Sequence, residues 1–290
     1  MLTTSKELLL KAREGRYAIG AFNANNLEIV QAIVETAEEE KSPVIIQASQ
    51  GAIKYAGLEA IVSMVKNEAE KVSVSVVLHL DHGHDFEQNA KCLRAGFTSL
   101  MFDGSKLPLD QNTAMAKKVV EMAHPCGIPV EAELGQIGTL GTTDEPGVAI
   151  EKMRELMTKP DEAKTFVEQT GIDSLAVAVG TIHGCKEEIA KLDIPRIEAI
   201  RDLTGIPLVL HGASGASDEE VRKAIMAGVC KINIDTRIRQ AFTKALREVL
   251  ARNPDEIDPR KVLGPAKLAA KEIVRDRMRV FGCSGKSDEE

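Results

Sequence analysis

The sequence predicts an α/β protein built from eight strand–helix units, on two observations. Short segments rich in valine, isoleucine, alanine and leucine recur along the chain, and segments with helical apolar spacing and charged faces separate them. Near-continuous apolar runs are typical of parallel strands that are buried on both faces. Eight such units in roughly 250 residues fit a (β/α)8 TIM barrel. The predicted strands are Ala18–Ala24, Pro43–Ser49, Val74–Gly83, Ser99–Gly104, Pro129–Gly135, Ser174–Thr181, Pro207–Ser214 and Lys231–Thr236.

Local signals support the helices between these strands. Leu27–Glu40 and Ser217–Gly228 carry apolar residues at helical spacing, with charged residues on the opposite face. Several predicted helices end on a glycine just before the next strand, as a helix C-cap requires. These glycines are Gly96, Gly127, Gly171, Gly205 and Gly228.

A doubly wound open sheet is the alternative architecture. It would place a glycine fingerprint after the first strand, where Gly20–Asn26 instead reads Gly-Ala-Phe-Asn-Ala-Asn-Asn. No linker divides the chain, so we expect a single domain over residues 1–290. An additional C-terminal helical segment is predicted after the barrel, with a last helix over Pro265–Val280.

Composition and charge exclude several classes of function. The net charge of −7 argues against a nucleic-acid binder, which needs a basic face. The five cysteines are scattered and form no C-x-x-C pair, which fits a reducing compartment better than a disulfide framework. The first residues lack a signal-peptide pattern, and no apolar stretch approaches the roughly 20 residues of a membrane span. We therefore expect a cytoplasmic protein with no membrane or nucleic-acid partner.

Histidines collect where the predicted strands end. The third, sixth and seventh strands end near His82, His183 and His211, on the face where barrels of this class carry their active sites. Three imidazoles and an open position make a catalytic zinc site. For a single histidine a structural role is the more common outcome, but three at equivalent strand ends favour a metal. His79, inside the third strand, is expected to pack in the core.

Carboxylates accompany the histidines. Asp81 either orients a ligand or serves as a general acid or base. Asp103 and Glu133 are supporting carboxylates or an alternative metal position, whereas Glu131 fits a buried polar cluster bridged by lysine or water. Adjacent residues on a regular strand face opposite sides, so we expect the third strand to give way at Gly83.

Small residues after the sixth and seventh strands indicate a phosphate site. His183-Gly184 and His211–Gly215 place glycines where backbone N–H groups can approach an anion, and a helix starts after Ser217. Four cations are candidate partners of the phosphate, each with a solvated surface role as its alternative. They are Lys186, Arg237, Arg239 and Arg260.

Taken together, these motifs resemble the class II, zinc-dependent fructose-bisphosphate aldolases, a group that also contains tagatose-bisphosphate aldolases. The resemblance runs from about Leu8 to Lys286. It rests on the motifs Leu80-Asp-His-Gly83, Val130-Glu-Ala-Glu-Leu-Gly135, Gly180-Thr-Ile-His-Gly184, Leu210-His-Gly-Ala-Ser-Gly215 and Lys231-Ile-Asn-Ile-Asp-Thr236.

The resemblance implies roles for individual residues. It assigns the catalytic Zn²⁺ to the three histidines and makes Asp81 the acid that protonates the aldehyde-derived oxygen during condensation. Asp103 and Glu133 match positions for a displaced zinc or a second divalent or monovalent cation. The implied substrate contacts are Gly184, Gly212, Ala213, Ser214, Asn233, Asp235 and Thr236 for dihydroxyacetone phosphate, Ser49 for the aldehyde partner, and Arg239 and Arg260 for the second phosphate.

The chain departs from the family pattern in two loops. The loop after Gly135 lacks the usual Gly-Gly-x-Glu-Asp, so Glu145 is expected to be the catalytic base, with Asp144 as the other candidate. The phosphate-site lysine usually stands four residues after the zinc histidine. That position is Glu187, and a loop shorter by one residue makes Lys186 the equivalent.

The implied activity is reversible, metal-dependent cleavage of fructose 1,6-bisphosphate to dihydroxyacetone phosphate and glyceraldehyde 3-phosphate, a reaction of glycolysis and gluconeogenesis. The sequence leaves tagatose 1,6-bisphosphate open as the substrate. A TIM-barrel zinc hydrolase is the alternative from another class, but it does not call for the segments Gly212–Gly215 and Asn233–Thr236. The resemblance also implies a homodimer or homotetramer.

Overall fold

The computed structural model describes residues 2–139, 154–184 and 191–287. Its strands are β1 (Ile19–Asn23), β2 (Val44–Ser49), β3 (Val76–Asp81), β4 (Leu100–Phe102), β5 (Val130–Leu134), β6 (Gly138–Thr139), β7 (Ser174–Val177), β8 (Ile182–His183), β9 (Leu208–Leu210) and β10 (Val229–Ile234).

The helices lie before, between and after these strands. They are α1 (Ser5–Gly15), α2 (Leu27–Glu39), α3 (Gln50–Ala56), α4 (Leu58–Ala69), α5 (Phe86–Ala95), α6 (Leu109–Ala123), α7 (Pro160–Thr170), α8 (Ile194–Thr204), α9 (Asp218–Ala227), α10 (Thr236–Arg252) and α11 (Pro259–Phe281), with 3₁₀ turns at His124–Cys126 and Ala213–Gly215. Within the described ranges, no helix combines the length and the apolar character needed to cross a bilayer.

Eight of the strands form one parallel sheet in the order β3-β2-β1-β10-β9-β7-β5-β4. The two end strands also meet, through parallel bridges from His79 to Ser99 and from Gly83 to Phe102. The backbone N–H of Leu80 donates to the carbonyl of Ser99 at 3.1 Å across this seam. The sheet therefore closes into a nearly complete barrel surrounded by helices, and the predicted architecture is confirmed.

The strands lie where the apolar runs predicted them, but several end earlier. The seventh predicted strand, Pro207–Ser214, is β-structured only over Leu208–Leu210, and the sixth ends at Val177. Every residue of β1, β3, β5 and β10 is buried, as expected of strands covered on both faces. Strands β6 and β8 form a separate parallel pair.

The predicted start of the last helix was wrong. The helix α11 begins at Pro259, where the side chain of Asp258 accepts from the N–H of Arg260 at 3.0 Å. Proline at the first helical position loses no hydrogen bond, because that N–H has no partner within the helix. Pro265 lies inside the same helix. The sequence predicts a start at Pro265, but the helix begins six residues earlier, at the other proline, Pro259.

Candidate active site

Two of the predicted zinc ligands face each other at the carboxyl end of the barrel. His82 follows β3 and His211 follows β9, and Nε2 of His82 lies 3.1 Å from Nδ1 of His211. Two nitrogens bound at 2.0–2.1 Å to one tetrahedral zinc are about 3.3 Å apart. The spacing of the two rings therefore fits a shared metal ion.

The outer nitrogens of both rings are held by carboxylates. His82 Nδ1 lies 2.7 Å from Asp103 Oδ2, and His211 Nε2 lies 2.8 Å from Glu131 Oε1. Because an ionised carboxylate only accepts, the ring nitrogens that face Asp103 and Glu131 carry the protons. With a metal bound, the inner nitrogens would present their lone pairs to the ion, which is the protonation pattern of metal-binding histidines.

Further carboxylates surround the pair. Ligand atoms of Asp81, His82 and His211 lie within 4.8 Å of one another, and so do those of His82, Asp103 and Glu133. Oε2 of Glu133 is buried without a hydrogen-bond partner among the described residues and lies 3.8 Å from His211 Nδ1. Burial, with the charge of Asp103 added, raises the pKa of Glu133 to about 8. Its ionised form needs a nearby cation.

The cluster as a whole favours positive charge at His82. Burial opposes a charge on this ring, but Asp81, Asp103 and Glu133 together raise the pKa of His82 to about 10. A metal cation would satisfy the same electrostatic preference. The donor set of imidazoles and carboxylates therefore fits a divalent metal.

Asp81 is held as a carboxylate by two amides. Its side chain is buried, Asn23 Nδ2 donates to Oδ2 at 2.7 Å, and Asn233 Nδ2 donates to Oδ1 at 3.3 Å. Burial raises the pKa of Asp81, but the charges of His82 and His211 and the bond from Asn23 outweigh it and hold the pKa below its usual value. Asp81 is thus prepared to accept a proton.

Sequence reasoning missed the support behind Asp81. Gln47 Nε2 donates to Asn23 Oδ1 at 2.6 Å, so an amide chain from β2 through β1 fixes the carboxylate. The available signal was a run of amides, Asn23-Ala-Asn-Asn26, at the carboxyl end of the first strand. The other strand ends were identified in the same way, by polar residues that directly follow an apolar run.

The break in the third strand lies one residue earlier than expected. His82, and not Gly83, adopts the left-handed conformation, with φ of 52°. Gly83 serves a different purpose, because a Cβ there would lie 2.6 Å from the carbonyl oxygen of Met101 and 2.6 Å from Asn89 Nδ2. The glycine allows β4 and α5 to approach the chain, and the turn at His82 brings Asp81 and His82 to one site.

A cavity of about 280 Å³ opens beside the histidines. The turn at Ala213–Gly215 and the N-terminus of α10 border it, and the N-terminal amides of a helix attract anions. The buried Ala213 lies within this turn. The lining residues are Asn23, Ser49, Asp81, His82, Gly184, Gly212, Ser214, Asn233, Asp235, Thr236 and Arg239.

The helix that was expected to supply phosphate contacts does not line the cavity. The N-terminus of α9 is capped by Ser217, whose hydroxyl accepts from the N–H of Glu220 at 3.3 Å. Its first turn carries three acidic residues. The start of α10, at Thr236, lines the cavity instead.

The candidate arginines separate into three roles. Arg239 Nε lies 2.7 Å from Asp235 Oδ1 in the cavity wall, and burial raises the pKa of Asp235 to about 6. Arg237 donates to the backbone carbonyls of the Ala213–Gly215 turn and of the residue after it, so it fastens this turn to α10. Arg260 is 88% exposed, pairs with Asp258 and is not among the lining residues.

Four predicted site residues are described incompletely or not at all. The backbone of His183 lies in β8, paired in register with Thr139 of β6, but its side chain is outside the described part of the structure. The candidate bases Glu145 and Asp144 and the candidate phosphate ligand Lys186 also lie outside the described residues.

His79 is buried as expected, and Glu131 has the lysine partner expected of a polar cluster, but Glu131 also supports His211 through Oε1. Lys231 Nζ donates to Glu131 Oε2 at 2.8 Å and lies 3.4 Å from His79 Nε2. All three side chains are buried inside the barrel. The lysine expected in this cluster is therefore Lys231, which the sequence alone did not single out.

Comparisons with known proteins agree with this geometry. The family model for fructose-bisphosphate aldolase class-II matches residues 3–286. The chain is 46% identical to the fructose-bisphosphate aldolase of Thermus caldophilus, covering 99% of this chain and 100% of that one, and 47% identical to that of Geobacillus stearothermophilus, covering 99% of each. The crystal structure of the YdjI aldolase from Escherichia coli K12 matches with a TM-score of 0.85 at 35% identity, over 99% of this chain and 100% of that one. This chain therefore belongs to the class II fructose-bisphosphate aldolase family.

Proposed function

We propose that this protein catalyses the reversible cleavage of fructose 1,6-bisphosphate to dihydroxyacetone phosphate and glyceraldehyde 3-phosphate. The observation that carries the proposal is the pair of facing nitrogens of His82 and His211, 3.1 Å apart, each ring held from behind by a carboxylate. The names of the relatives that align over the whole chain support the same activity.

His82, His183 and His211 would hold the metal, which we propose to be Zn²⁺ because imidazoles predominate among the ligands. When bound, the ion supplies Lewis-acid stabilisation to the oxygens of the three-carbon fragment that becomes dihydroxyacetone phosphate. Asp103 and Glu133 are the proposed site of a displaced zinc or a second cation. The proximity of their carboxyl oxygens to His82 supports that assignment.

Asp81 is the proposed acid–base group for the bond that breaks. In cleavage its carboxylate takes the proton from the C4 hydroxyl, and in condensation it returns that proton to the aldehyde oxygen. The lowered pKa of Asp81 and the amide bonds from Asn23 and Asn233 support the proton-accepting form. Glu145, or alternatively Asp144, is proposed to move the proton on the three-carbon fragment.

The phosphates are proposed to bind at the two walls of the cavity. The turn at Ala213–Gly215, the start of α10 and Lys186 would hold the first phosphate. Ser49 and Arg239 would meet the part of the substrate that carries the second. Arg260 is exposed and does not line the cavity, which supports its contribution to a second copy of the chain in a homodimer or homotetramer.

Two further proposals concern the domain organisation and the cellular location. We propose that residues 1–290 form a single domain, since α11 packs against α10, α2 and β1. We propose a cytoplasmic location, supported by cysteines that are scattered through the sequence.

The decisive experiment is a cleavage assay before and after chelation. Triose phosphate release from fructose 1,6-bisphosphate should stop when the metal is removed and return when Zn²⁺ is added. Full activity in the metal-free protein, or trapping of the substrate on a lysine by borohydride, would contradict the proposal. Running the same assay with tagatose 1,6-bisphosphate determines the preferred sugar, and product analysis would reveal a hydrolase.

A further inference from the structure

A buried lysine behind the metal ligands, Lys231, has no part in the proposed reaction. Lys231 lies on β10 with only 1% of its side chain exposed, and its ammonium donates to Glu131 Oε2 at 2.8 Å. Burying both charges costs desolvation, and apolar residues of the same volume are often equally stabilising. The stability of the fold alone therefore does not explain why this pair lies here.

The two oxygens of Glu131 have different partners. Oε2 accepts from Lys231, and Oε1 accepts from Nε2 of His211 at 2.8 Å. A neutral imidazole carries one proton, so the N–H at Nε2 leaves the lone pair on Nδ1. Nδ1 is the atom that lies 3.1 Å from His82 Nε2.

Lys231 also faces a second acceptor. His79 Nε2 lies 3.4 Å from its ammonium, and His79 Nδ1 lies 2.8 Å from the hydroxyl of Ser99. Burial, together with the charge of Lys231, lowers the pKa of His79 well below its usual value. Because lysine has donors only, its neighbours on both sides must accept from it.

We propose that Lys231 is a positioning residue for the metal. By holding Oε2 of Glu131, it leaves Oε1 to accept from His211 and so fixes His211 as the tautomer whose Nδ1 can bind the ion. The inference rests on the proposed function only in that a metal binds between His82 and His211.

The test uses Glu131→Gln with and without Lys231→Met. Glutamine has one oxygen, and in Glu131→Gln the ammonium of Lys231 retains it, so the amide NH₂ turns toward His211 Nε2. That arrangement moves the proton of His211 to Nδ1 and opposes metal binding. We expect the Kd for zinc, measured by chelator competition, to rise roughly 10- to 100-fold.

Removing the lysine as well should restore binding. In Glu131→Gln with Lys231→Met, the amide oxygen is free to accept from His211 Nε2, and most of the lost zinc affinity should return. NMR of metal-free protein labelled with ¹⁵N-histidine reports the tautomer directly. We expect the Nε2–H form in the unsubstituted protein and in the double variant, and the Nδ1–H form in Glu131→Gln.

Glu68→Gln is the matched control, because Glu68 is also buried and pairs with a lysine, Lys71, at 2.8 Å on an outer helix. It should change neither the zinc Kd nor the tautomer, and thermal unfolding verifies the fold of every variant. Equal zinc affinity in Glu131→Gln and the unsubstituted protein, or no recovery in the double variant, would overturn the role of Lys231. Failure of the unsubstituted protein to bind zinc would overturn the proposed function instead, and the tautomer comparison would still decide the inference.

Discussion

At the scale of single residues, the site depends on which atoms carry protons. Asp103 and Glu131 take the outer N–H groups of His82 and His211, and the inner nitrogens are left for a metal. Asp81 accepts hydrogen bonds from the side-chain amides of Asn23 and Asn233, so its carboxylate keeps its charge beside the same histidines. Acid–base chemistry and metal binding are thus separated between adjacent residues.

The role of Asp81 is tested by Asp81→Asn. The amide has nearly the same shape but cannot take a proton, so kcat for fructose 1,6-bisphosphate cleavage should fall roughly 100- to 10,000-fold, with zinc content unchanged. Asp110→Asn, in the exposed first turn of α6, is the control and should retain full activity. A rate within a few-fold of the unsubstituted protein would assign the proton transfer to another group.

At the scale of elements, close backbone approach restricts the turn after β3. The Cβ of an alanine at position 83 would lie 2.6 Å from the carbonyl oxygen of Met101 on the neighbouring strand. The carbonyl oxygen belongs to the barrel ladder and cannot move away alone. This contact explains the glycine between His82 and His84 better than a turn requirement does.

Gly83→Ala should therefore destabilise the protein by about 1–3 kcal/mol, as overpacking does. Gly264→Ala is the control, since nothing lies within 4 Å of a Cβ there and the residue is inside α11. Alanine in a helix interior should stabilise by up to about 1 kcal/mol. Urea unfolding of both variants measures the two changes. Equal effects of the same sign would refute the steric explanation.

A second element-scale contact joins α2 to the chain entering β3. Glu38 accepts from Lys41 at 2.5 Å and from the N–H of Ser73 at 2.8 Å. The bond from Lys41 lowers the pKa of Glu38 to about 2. Burial alone would raise this pKa, and the bonds from Ser73 lower it further. The folded-state pKa is below the unfolded one, so this stabilisation is present above about pH 4.5 and is lost as the pH falls toward 2.

Glu38→Gln should then cost about 1 kcal/mol near neutral pH, a value discounted for solvent screening at a partly exposed site. The difference from the unsubstituted protein should shrink as the pH falls from 4.5 toward 2. Urea unfolding at pH 7, 5, 4 and 3 follows this change. Glu87→Gln, on an exposed pair with Lys91, should show little effect at any of these pH values. A difference that grows toward acid pH would reverse the assigned sign.

At the scale of the whole molecule, the barrel and its metal are linked. An ion that binds the folded chain at 100 times its Kd stabilises it by about 2.7 kcal/mol. For a chain of this size, chelation should lower Tm by roughly 4–5 °C. The far-ultraviolet circular dichroism should not change, because the apolar core of the barrel does not depend on the ion. In His82→Ala the chelator should leave Tm unchanged, and an unaltered response would place the stabilising metal elsewhere.

The sequence by itself determined the barrel and the face on which its chemistry collects. Apolar runs and helical spacing are local properties, so eight units could be read along the chain. Asp81, His82 and His211 could be identified because each stands where an apolar run ends. The start of α11 is not determined by the sequence alone, since Pro259 and Pro265 give the same local signal.

Only the tertiary structure decided how these groups are held. Lys231 and Glu131 are 100 residues apart in sequence and meet across the barrel interior. Gln47, Asn23 and Asp81 come from three successive strands, and their bonds depend on the register of those strands. The left-handed turn at His82 and the glycine beside it follow from the approach of β4. Contacts between distant segments depend on closure of the barrel and leave no periodic pattern in the sequence. These contacts determine which ring nitrogen of His82 and of His211 carries a proton.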